Sequence, residues 1–457
     1  MPPTESFAGA KVTVMGLGLH GGGASAARYF ARAGAEVTVT DLRDETALSA
    51  SLEALGNLSL RFVLGRHEQA DFTGADIVVK NPAVPRTSAY LARARRVETD
   101  ISVFLARNPA PFVAITGTKG KSSTSAALHH ILSRCHPGRA HLGGNITRSP
   151  LEFIDELVAD DVVVLELSSF QLGDLRMTPS GIAALTPRVA IITSIFRDHL
   201  DYYDSMEEYV ADKRLIYAAQ GPRDWTIARA DAWGRSFLAE TPARAALVAD
   251  GRPAAKVPTA AYLEGLRGRA RLEGADEEVL PAALSVRGEH MRRNLLAAAL
   301  GARLLGFPPA EVRDAAATFG GIDHRLEAVR ELDGVTFYND SAATIPEATL
   351  EAVGSFDRPV RLIAGGSDKN IDFSLFARIA PRVAGLYLLD GTALDAISAA
   401  AGDFDGPFSS LSAALDAAVS AARPGEVVLL SPGCASFGMF QNEFDRGRTF
   451  RDLVRAL

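Results

Sequence analysis

The sequence predicts an α/β fold, and three observations carry that prediction. Short β-branched runs alternate with Ala-rich segments along the whole chain. Most of these runs are apolar on both faces, the pattern of strands buried in a parallel sheet. Nearly every run ends in a cluster of Gly, Asp, Asn or Ser. In open α/β sheets ligands sit beyond the carboxyl ends of the strands, so these clusters are where function is sought.

The runs at 11–16, 36–41, 76–81, 112–117, 161–169 and 190–196 are the expected strands of the first two thirds of the chain. Those at 334–340, 360–366, 385–391 and 426–433 belong to the last third. Between them, the Ala-rich stretches 23–34, 122–135, 291–305 and 376–384 are expected helices. Gly/Pro punctuation at 107–112 and 319–325 precedes fresh strands, which divides the chain into domains 1–108, 109–321 and 322–457. The stretch 222–285 carries several Pro and Gly with alternating charge. It is expected to form the loop-rich or antiparallel outer part of the central domain.

Composition narrows the function classes. The chain has 457 residues and a net charge of -7, which argues against broad nucleic-acid binding. Its 2 cysteines, Cys135 and Cys434, have no metal-ligand spacing and fit a reducing compartment. The start of the chain lacks a basic segment followed by an apolar stretch, and no run approaches the ~18 apolar residues of a membrane span. The expectation is a cytoplasmic monomer with neither nucleic-acid nor membrane partners.

The first chemistry-bearing stretch is "VMGLGLHGGG" (14–23). Gly16, Gly18 and Gly21 satisfy G-x-G-x-x-G between a strand and a helix, and Asp41 follows at the end of the second strand. The turn and the helix N-terminus suit a diphosphate, but the pattern does not choose NAD over another nucleotide diphosphate. The second is "ITGTKGKSST" (115–124), a strand running through a Gly-rich turn into a helix. Backbone N–H groups there would wrap a polyphosphate. Lys121 would reach the terminal phosphates, and the Ser122 hydroxyl could ligate Mg²⁺. The spacing is shorter than the usual phosphate loop, which has four residues before its Gly-Lys pair. Glu166 in "LELSSFQL", His199 in "RDHLD" and Lys213 in "MEEYVADKRLIY" follow in order. A carboxylate and an imidazole at neighbouring strand ends could hold a nucleotide's Mg²⁺, although each is also compatible with a structural role. The last third adds "GIDHRLE", "NDSAAT", "GGSDKN" and "SPGCASFGMF", which together look like a second binding surface.

Taken in order, these stretches resemble the ATP-dependent Mur ligases over essentially the whole chain. The phosphate loop is shared with the wider family, including folylpolyglutamate synthases. "LELSSFQL" and "SPGCASF" are more specific to the glutamate-adding branch. The resemblance implies a Rossmann-like N-terminal domain for a UDP-sugar, a central phosphate-loop ATPase-like domain, and a Rossmann-like C-terminal domain that receives the amino acid. It implies ATP and Mg²⁺ as cofactors, and UDP-N-acetylmuramoyl-L-alanine and glutamate, the D-isomer favoured, as substrates of an acyl-phosphate reaction.

Residue by residue, the resemblance assigns Gly117, Thr118, Lys119, Gly120, Lys121, Ser122 and Ser123, with Asn294, Arg325 and Asp340, to ATP. Ser122, Glu166, His199 and a carbamylated Lys213 are implied to serve Mg²⁺. Lys121, Glu166, His199 and Lys213 are the implied catalytic set. Gly18, Leu19, His20, Asp41, Arg43, Asn81, Asn145, Ser169 and Gln171 match contacts to the UDP-sugar-peptide. Thr344, Lys369, Ser436 and Phe437 match positions that receive glutamate.

The chain departs from the family pattern at four places. Ala342 stands where D-S-K-A-T has lysine, and Glu443 stands where an aromatic residue is usual. Ser194 and Lys119 each replace a common Asn. The first two touch the amino-acid pocket and leave L-glutamate as the rival substrate. Among other classes, a NAD-dependent oxidoreductase leaves the phosphate loop unexplained. A non-catalytic nucleotide binder would be expected to lack Lys121, Glu166, His199 or Lys213. A folylpolyglutamate synthase would have no N-terminal Rossmann unit.

Overall fold

The computed structural model describes residues 6–19, 21–146, 148–199, 202–369 and 371–457. These form three sheets in two compact units, Met1–Leu284 with Arg293–Phe319, and Ser285–Arg292 with Gly320–Leu457. The first unit holds two sheets. One comprises β1 (Lys11–Met15), β2 (Glu36–Asp41), β3 (Arg61–Leu64), β4 (Ile77–Lys80) and β5 (Val97–Glu98). Its strands run parallel in the order β3-β2-β1-β4-β5.

The second sheet is built from β6 (Phe112–Thr116), β7 (Ala140–Gly144), β8 (Val162–Glu166), β9 (Val189–Ile192), β10 (Trp225–Arg229), β11 (Arg244–Ala249), β12 (Ala260–Glu264), β13 (Arg267–Leu272) and β14 (Ala275–Leu280). The strand order is β14-β13-β12-β11-β10-β9-β6-β8-β7. β6 lies between β8 and β9, with Ile115 opposite Glu166 and Thr116 opposite Ile192. This is a switch point of the sheet. The chain leaves β6 with neighbours on both sides, the position at which open α/β sheets take ligands. Burial of every residue of β6, β8 and β9 explains their unbroken apolar reading.

The stretch 222–285 is antiparallel at its outer edge, as one of the two expectations has it, and is not loop-rich. It supplies five strands and a helix, Ala232–Glu240, that extend the central sheet. β10, β11 and β12 pair in parallel, and only β13 and β14 are antiparallel. Alternating charge reflects one wet face: in β13, Arg267 and Arg269 pair with Glu278 and Glu264. The expected helix at 376–384 is a single α turn, Phe376–Ile379, followed by a 3-10 turn at Ala380–Arg382, where Pro381 ends the regular bonding.

One apolar core runs through both sheets of the first unit. Phe104 meets Phe153 edge-on at 6.1 Å, and Asp100 accepts a bond from Ser149 Oγ at 2.8 Å. The second unit has one sheet, comprising β15 (Glu327–Leu332), β16 (Val335–Asn339), β17 (Val360–Gly365), β18 (Gly385–Leu389), β19 (Asp405–Phe408) and β20 (Val427–Leu430), in the order β15-β16-β20-β17-β18-β19. Only β15 is antiparallel, so the carboxyl ends of β16, β20 and β17 lie side by side. Among the described residues no helix is long and apolar enough to cross a membrane.

Candidate functional site

The phosphate loop leaves β6 at Gly117 and enters the helix Lys121–Cys135. Gly117 has φ 146, and a Cβ there would lie 2.0 Å from Thr193 Oγ1, so no side chain fits. The end of β9 pins the turn. Ser194 O accepts from Thr118 N at 2.6 Å, while Thr193 Oγ1 and Ser194 Oγ donate to Lys119 O at 2.6 and 2.9 Å. The hydroxyls of Thr118 and Tyr209 pair at 2.9 Å. The helix N-cap, Gly120, offers no side-chain cap, which leaves first-turn N–H groups for an anion. Asn294 closes on this turn: a Cβ at Gly120 would meet its Oδ1 at 2.6 Å. Ser122 is half-buried and Ser123 buried in the first turn.

Two lysines converge on the loop. Lys121 Nζ donates to Gly117 O at 3.1 Å and Thr118 O at 3.0 Å. Lys213, from the helix Met206–Ala218, donates from Nζ to Gly117 O at 2.9 Å and lies 4.5 Å over the Tyr209 ring. Lys213 is 1% exposed. Burial, and then the charge of Lys121, hold its amine well below the ordinary lysine range. Glu166, at the end of β8, is also buried. Its Oε1 accepts from Asn145 Nδ2 at 3.1 Å, and its Oε2 is buried without a hydrogen-bond partner. His199 is exposed, has φ 55 and packs edge-on against Phe170 at 4.9 Å. Lys119 is exposed and pairs with Asp198 at 3.6 Å.

The first glycine loop is organised by Asp41. Its Oδ2 accepts from Gly18 N at 3.1 Å and its Oδ1 from Arg43 N at 2.9 Å. Asn81 underlies the turn, with Nδ2 3.2 Å from the Cβ position of Gly18. Leu19 and Arg43 face solvent. The expectation for His20 falls outside the described residues. The motif reading missed Gly23, where a Cβ would lie 2.4 Å from the carbonyl oxygens of Gly16 and Leu17. It is the residue that lets the helix Gly22–Arg32 close on the loop. Ser169 is buried at the start of the helix Ser169–Asp174. Gln171 Oε1 closes that helix's capping box by accepting from Ser168 N at 3.0 Å, so its amide nitrogen is the group left for a ligand.

In the second unit the loops after β16, β17 and β20 interlock. Ser367 and Ala435 exchange backbone bonds at 2.9 and 3.1 Å, Gly433 N donates to Ala343 O at 2.9 Å, and Ser367 Oγ donates to Phe437 O. Lys369 is exposed and 5.7 Å over the ring of Phe437, itself 57% exposed. Ser436 is buried and Thr344 half-buried in the same loop set. Asp340 is placed inward. Its Oδ2 accepts from Ser431 Oγ at 2.8 Å and its Oδ1 from Leu326 N at 3.1 Å, and burial pushes its carboxyl up to about 7. Arg325 is exposed. Sequence reasoning missed Arg446, 1% exposed, which donates to Ser341 Oγ and O at 3.0 and 2.9 Å and to Cys434 O at 3.2 Å. It ties two of the candidate loops together. The helix Glu443–Ala456 carries four arginines, and Arg446 is set apart from the others by sharing the buried face with Phe450 and Val454.

A phosphate-type turn at a sheet switch point and a second glycine loop in the same unit define a phosphate-loop nucleotide-binding α/β protein. Models of the "Mur ligase middle domain", the "Mur ligase MurD-like, N-terminal domain" and the "Mur ligase, glutamate ligase domain" match residues 115–302, 10–103 and 324–434. The chain is 43% identical to a UDP-N-acetylmuramoylalanine--D-glutamate ligase of Roseiflexus sp. (strain RS-1), over 98% of this chain and 99% of that one. It is 39% identical to the enzyme of that name from Treponema pallidum (strain Nichols), over 98% of each. A pseudomurein peptide ligase type C from Methanothermus fervidus shares the fold at TM-score 0.58 and 18% identity, over 98% of this chain and 99% of that one. The chain belongs to the Mur ligase family.

Proposed function

We propose that this chain is an ATP-dependent ligase that joins D-glutamate to the alanyl carboxylate of UDP-N-acetylmuramoyl-L-alanine, a step of peptidoglycan precursor synthesis. One juxtaposition carries the reading: a Gly-Lys phosphate loop at the end of β6 meets a second, buried lysine and a buried carboxylate oxygen without a partner. The names of the relatives support the reaction and the D-isomer. The N-terminal match over 10–103 supports a UDP seat and disfavours a folylpolyglutamate synthase. In this reading the domains are 1–108 for the UDP-sugar, 109–321 for ATP and 322–457 for the amino acid. The protein acts as a cytoplasmic monomer.

The residues fit Mg²⁺. Among the described residues no three His, Cys, Asp or Glu side chains gather into a metal cluster, and in this reading the ion would be held in part by the nucleotide. Glu166 Oε2 is a ready hard ligand, and Ser122 adds a hydroxyl beside the loop. Lys213, whose amine burial and the charge of Lys121 hold well below the ordinary lysine range, would add its amine to CO₂ and release a proton. The carbamate formed is an anion that, with His199, would help hold Mg²⁺. Bound Mg²⁺ supplies charge neutralisation at the phosphates.

Lys121 and the loop N–H groups hold the γ-phosphate as a substrate carboxylate oxygen attacks its phosphorus and ADP leaves. The glutamate amine then attacks the acyl carbon and loses a proton, and the tetrahedral intermediate expels phosphate. No protein nucleophile is needed, because positioning and charge neutralisation supply the rate. Asn294, Arg325 and Asp340 serve ATP in this reading. Gly18, Leu19, His20, Asp41, Arg43, Asn81, Asn145, Ser169 and Gln171 serve the UDP-sugar-peptide. Lys369, Thr344, Ser436 and Phe437 receive glutamate. The test is phosphate release from ATP with UDP-N-acetylmuramoyl-L-alanine and a panel of D- and L-amino acids. Turnover with D-glutamate is expected. Turnover with L-glutamate or another amino acid alone would overturn the substrate, and no turnover with any would overturn the ligase.

A further inference from the structure

Four charged side chains in the first unit have no part in the reaction above, yet all are buried or largely buried. Lys80 and Asp174 have side-chain exposures of 0% and 1%, Asp212 6% and Arg86 23%. Lys80 ends β4, immediately before Asn81 of the first glycine loop. Its Nζ donates to Asp174 Oδ2 at 2.5 Å and to Asn81 O at 3.3 Å. Asp174 ends the short helix that begins with Ser169 and carries Gln171. Arg86 lies 3.4 Å from Asp174 Oδ1 through Nε, donates from Nη2 to Asp212 Oδ2, and reaches Tyr202 Oη at 3.2 Å. Asp212 directly precedes Lys213 and also accepts from Tyr203 Oη at 3.0 Å. Tyr202 and Tyr203 donate their backbone N–H groups to His199 O at 3.1 and 3.0 Å.

This chain of contacts joins the UDP-side loop, the substrate-contact helix, the His199 turn and the helix of Lys213. It passes through one narrow point, Gly173. A Cβ there would lie 2.2 Å from Asp212 Oδ2 and 2.5 Å from Arg86 Nη2, so the guanidinium crosses the helix only where a side chain is missing. Buried charge pairs are weak devices for stability, because apolar residues of the same shape commonly serve as well or better. A forked, planar cation held between two carboxylates instead defines direction and distance.

We propose that Arg86, with the Lys80–Asp174 pair, is a positioning residue for the ligation. It holds the first glycine loop and the Ser169–Asp174 helix in register with the helix bearing Lys213, so that a substrate seated on the first sheet presents its carboxylate to the phosphate loop. The proposal rests on the ligase reading. It deepens that reading by assigning the coupling between the UDP seat and the nucleotide site to residues outside both.

The experiment uses the full chain with Arg86→Gln, and with Arg86→Lys, which keeps the charge and loses the fork. Calorimetry gives the affinity for UDP alone and for a non-hydrolysable ATP analogue alone. Steady-state kinetics give kcat and KM with UDP-N-acetylmuramoyl-L-alanine. In Arg86→Gln each single-ligand affinity is expected to stay within about threefold of wild type, while kcat falls about 100-fold, the scale of a misplacement of about 1 Å. Arg86→Lys is expected to fall about tenfold in kcat by the same argument, and it decides the matter if the Gln variant does not fold. A kcat within about threefold of wild type, or a loss of UDP and nucleotide affinity in parallel with kcat, overturns the proposal. An inactive wild-type enzyme would instead overturn the ligase reading, which separates the two failures.

Discussion

The strand ends of the central sheet and those of the C-terminal sheet use similar parts, Gly-rich turns with hydroxyls and a lysine, but they differ in access to water. Lys213 and Glu166 are each 1% exposed, and the turn that Lys213 grips is pinned from β9 and by Tyr209. Lys369 is exposed, and Phe437 beneath it is 57% exposed. In the proposed reading, the difference follows from the two tasks. Charge that moves during phosphoryl transfer is stabilised best by dipoles and cations already fixed in a poorly solvated place. A free amino acid must be collected from water, so in that reading its recognition groups would stay in contact with water. An exposed cation there contributes selectivity and little transition-state energy.

The contrast breaks first if the dry site proves dispensable. Lys121→Ala is expected to lower ATP-dependent phosphate release by about 10³-fold or more while the protein melts near the wild-type temperature. Near-normal turnover in the folded variant would remove the phosphate loop from the reaction. Lys213→Ala is expected to lose about 10²–10³-fold. Millimolar acetate should restore part of that loss by supplying the missing carboxylate. Failure of any small carboxylate to rescue, together with an unmodified lysine by intact-mass measurement, would end the carbamate assignment.

Asp340 sharpens the comparison, because it is the dry acid of the second unit. Its folded carboxyl keeps a proton up to about pH 7, whereas an unfolded one releases it near 3.8. Rising pH therefore removes stability between those values and none beyond them, with a slope no steeper than about 1.4 kcal/mol per pH unit. In urea unfolding between pH 5 and 8, Asp340→Asn is expected to show a shallower decline up to pH 7 than wild type. Equal slopes would mean that Asp340 is not the group responsible.

The smallest effect concerns the wet site. Ala342→Lys adds a cation to the loop that follows Asp340. It is expected to change the KM for glutamate, or the ratio of D- to L-glutamate turnover, by about tenfold, the scale of one charged contact to a carboxylate. The KM for ATP should move less than about twofold on the same reasoning. A change in the ATP constant alone would place this loop on the nucleotide rather than on the amino acid.

Much of this was legible because it is local. The strands at 11–16, 36–41 and 112–117 announce themselves by β-branched runs that stop at Gly16, Asp41 and Gly117, and the structure ends them at Met15, Asp41 and Thr116. The phosphate loop is read from ten consecutive residues, because backbone conformation and charge placement there are set within one turn. In the stretch 222–285 the antiparallel outer edge was legible, but the parallel strands before it were not, because they are partly exposed and only pairing with neighbours makes them strands. Gly23 escaped because its reason is a contact with the oxygens of Gly16 and Leu17, not its place in a motif.

By itself, the sequence determined the α/β architecture, the two glycine loops and the identity of the groups that can carry charge. Those properties reside in hydrophobic period, turn chemistry and side-chain type. Only the tertiary structure decided which charges are dry. Lys213, Glu166, Asp340 and Arg446 look like any polar residues in a chain, and they become buried because elements far away in sequence close over them. The tertiary fold alone joined Lys80 to Asp174 and Arg86 to Asp212 across the two sheets of the first unit. The physical reason is that the strength of a charge depends on the water it has lost, and desolvation is a property of the packed molecule rather than of any segment.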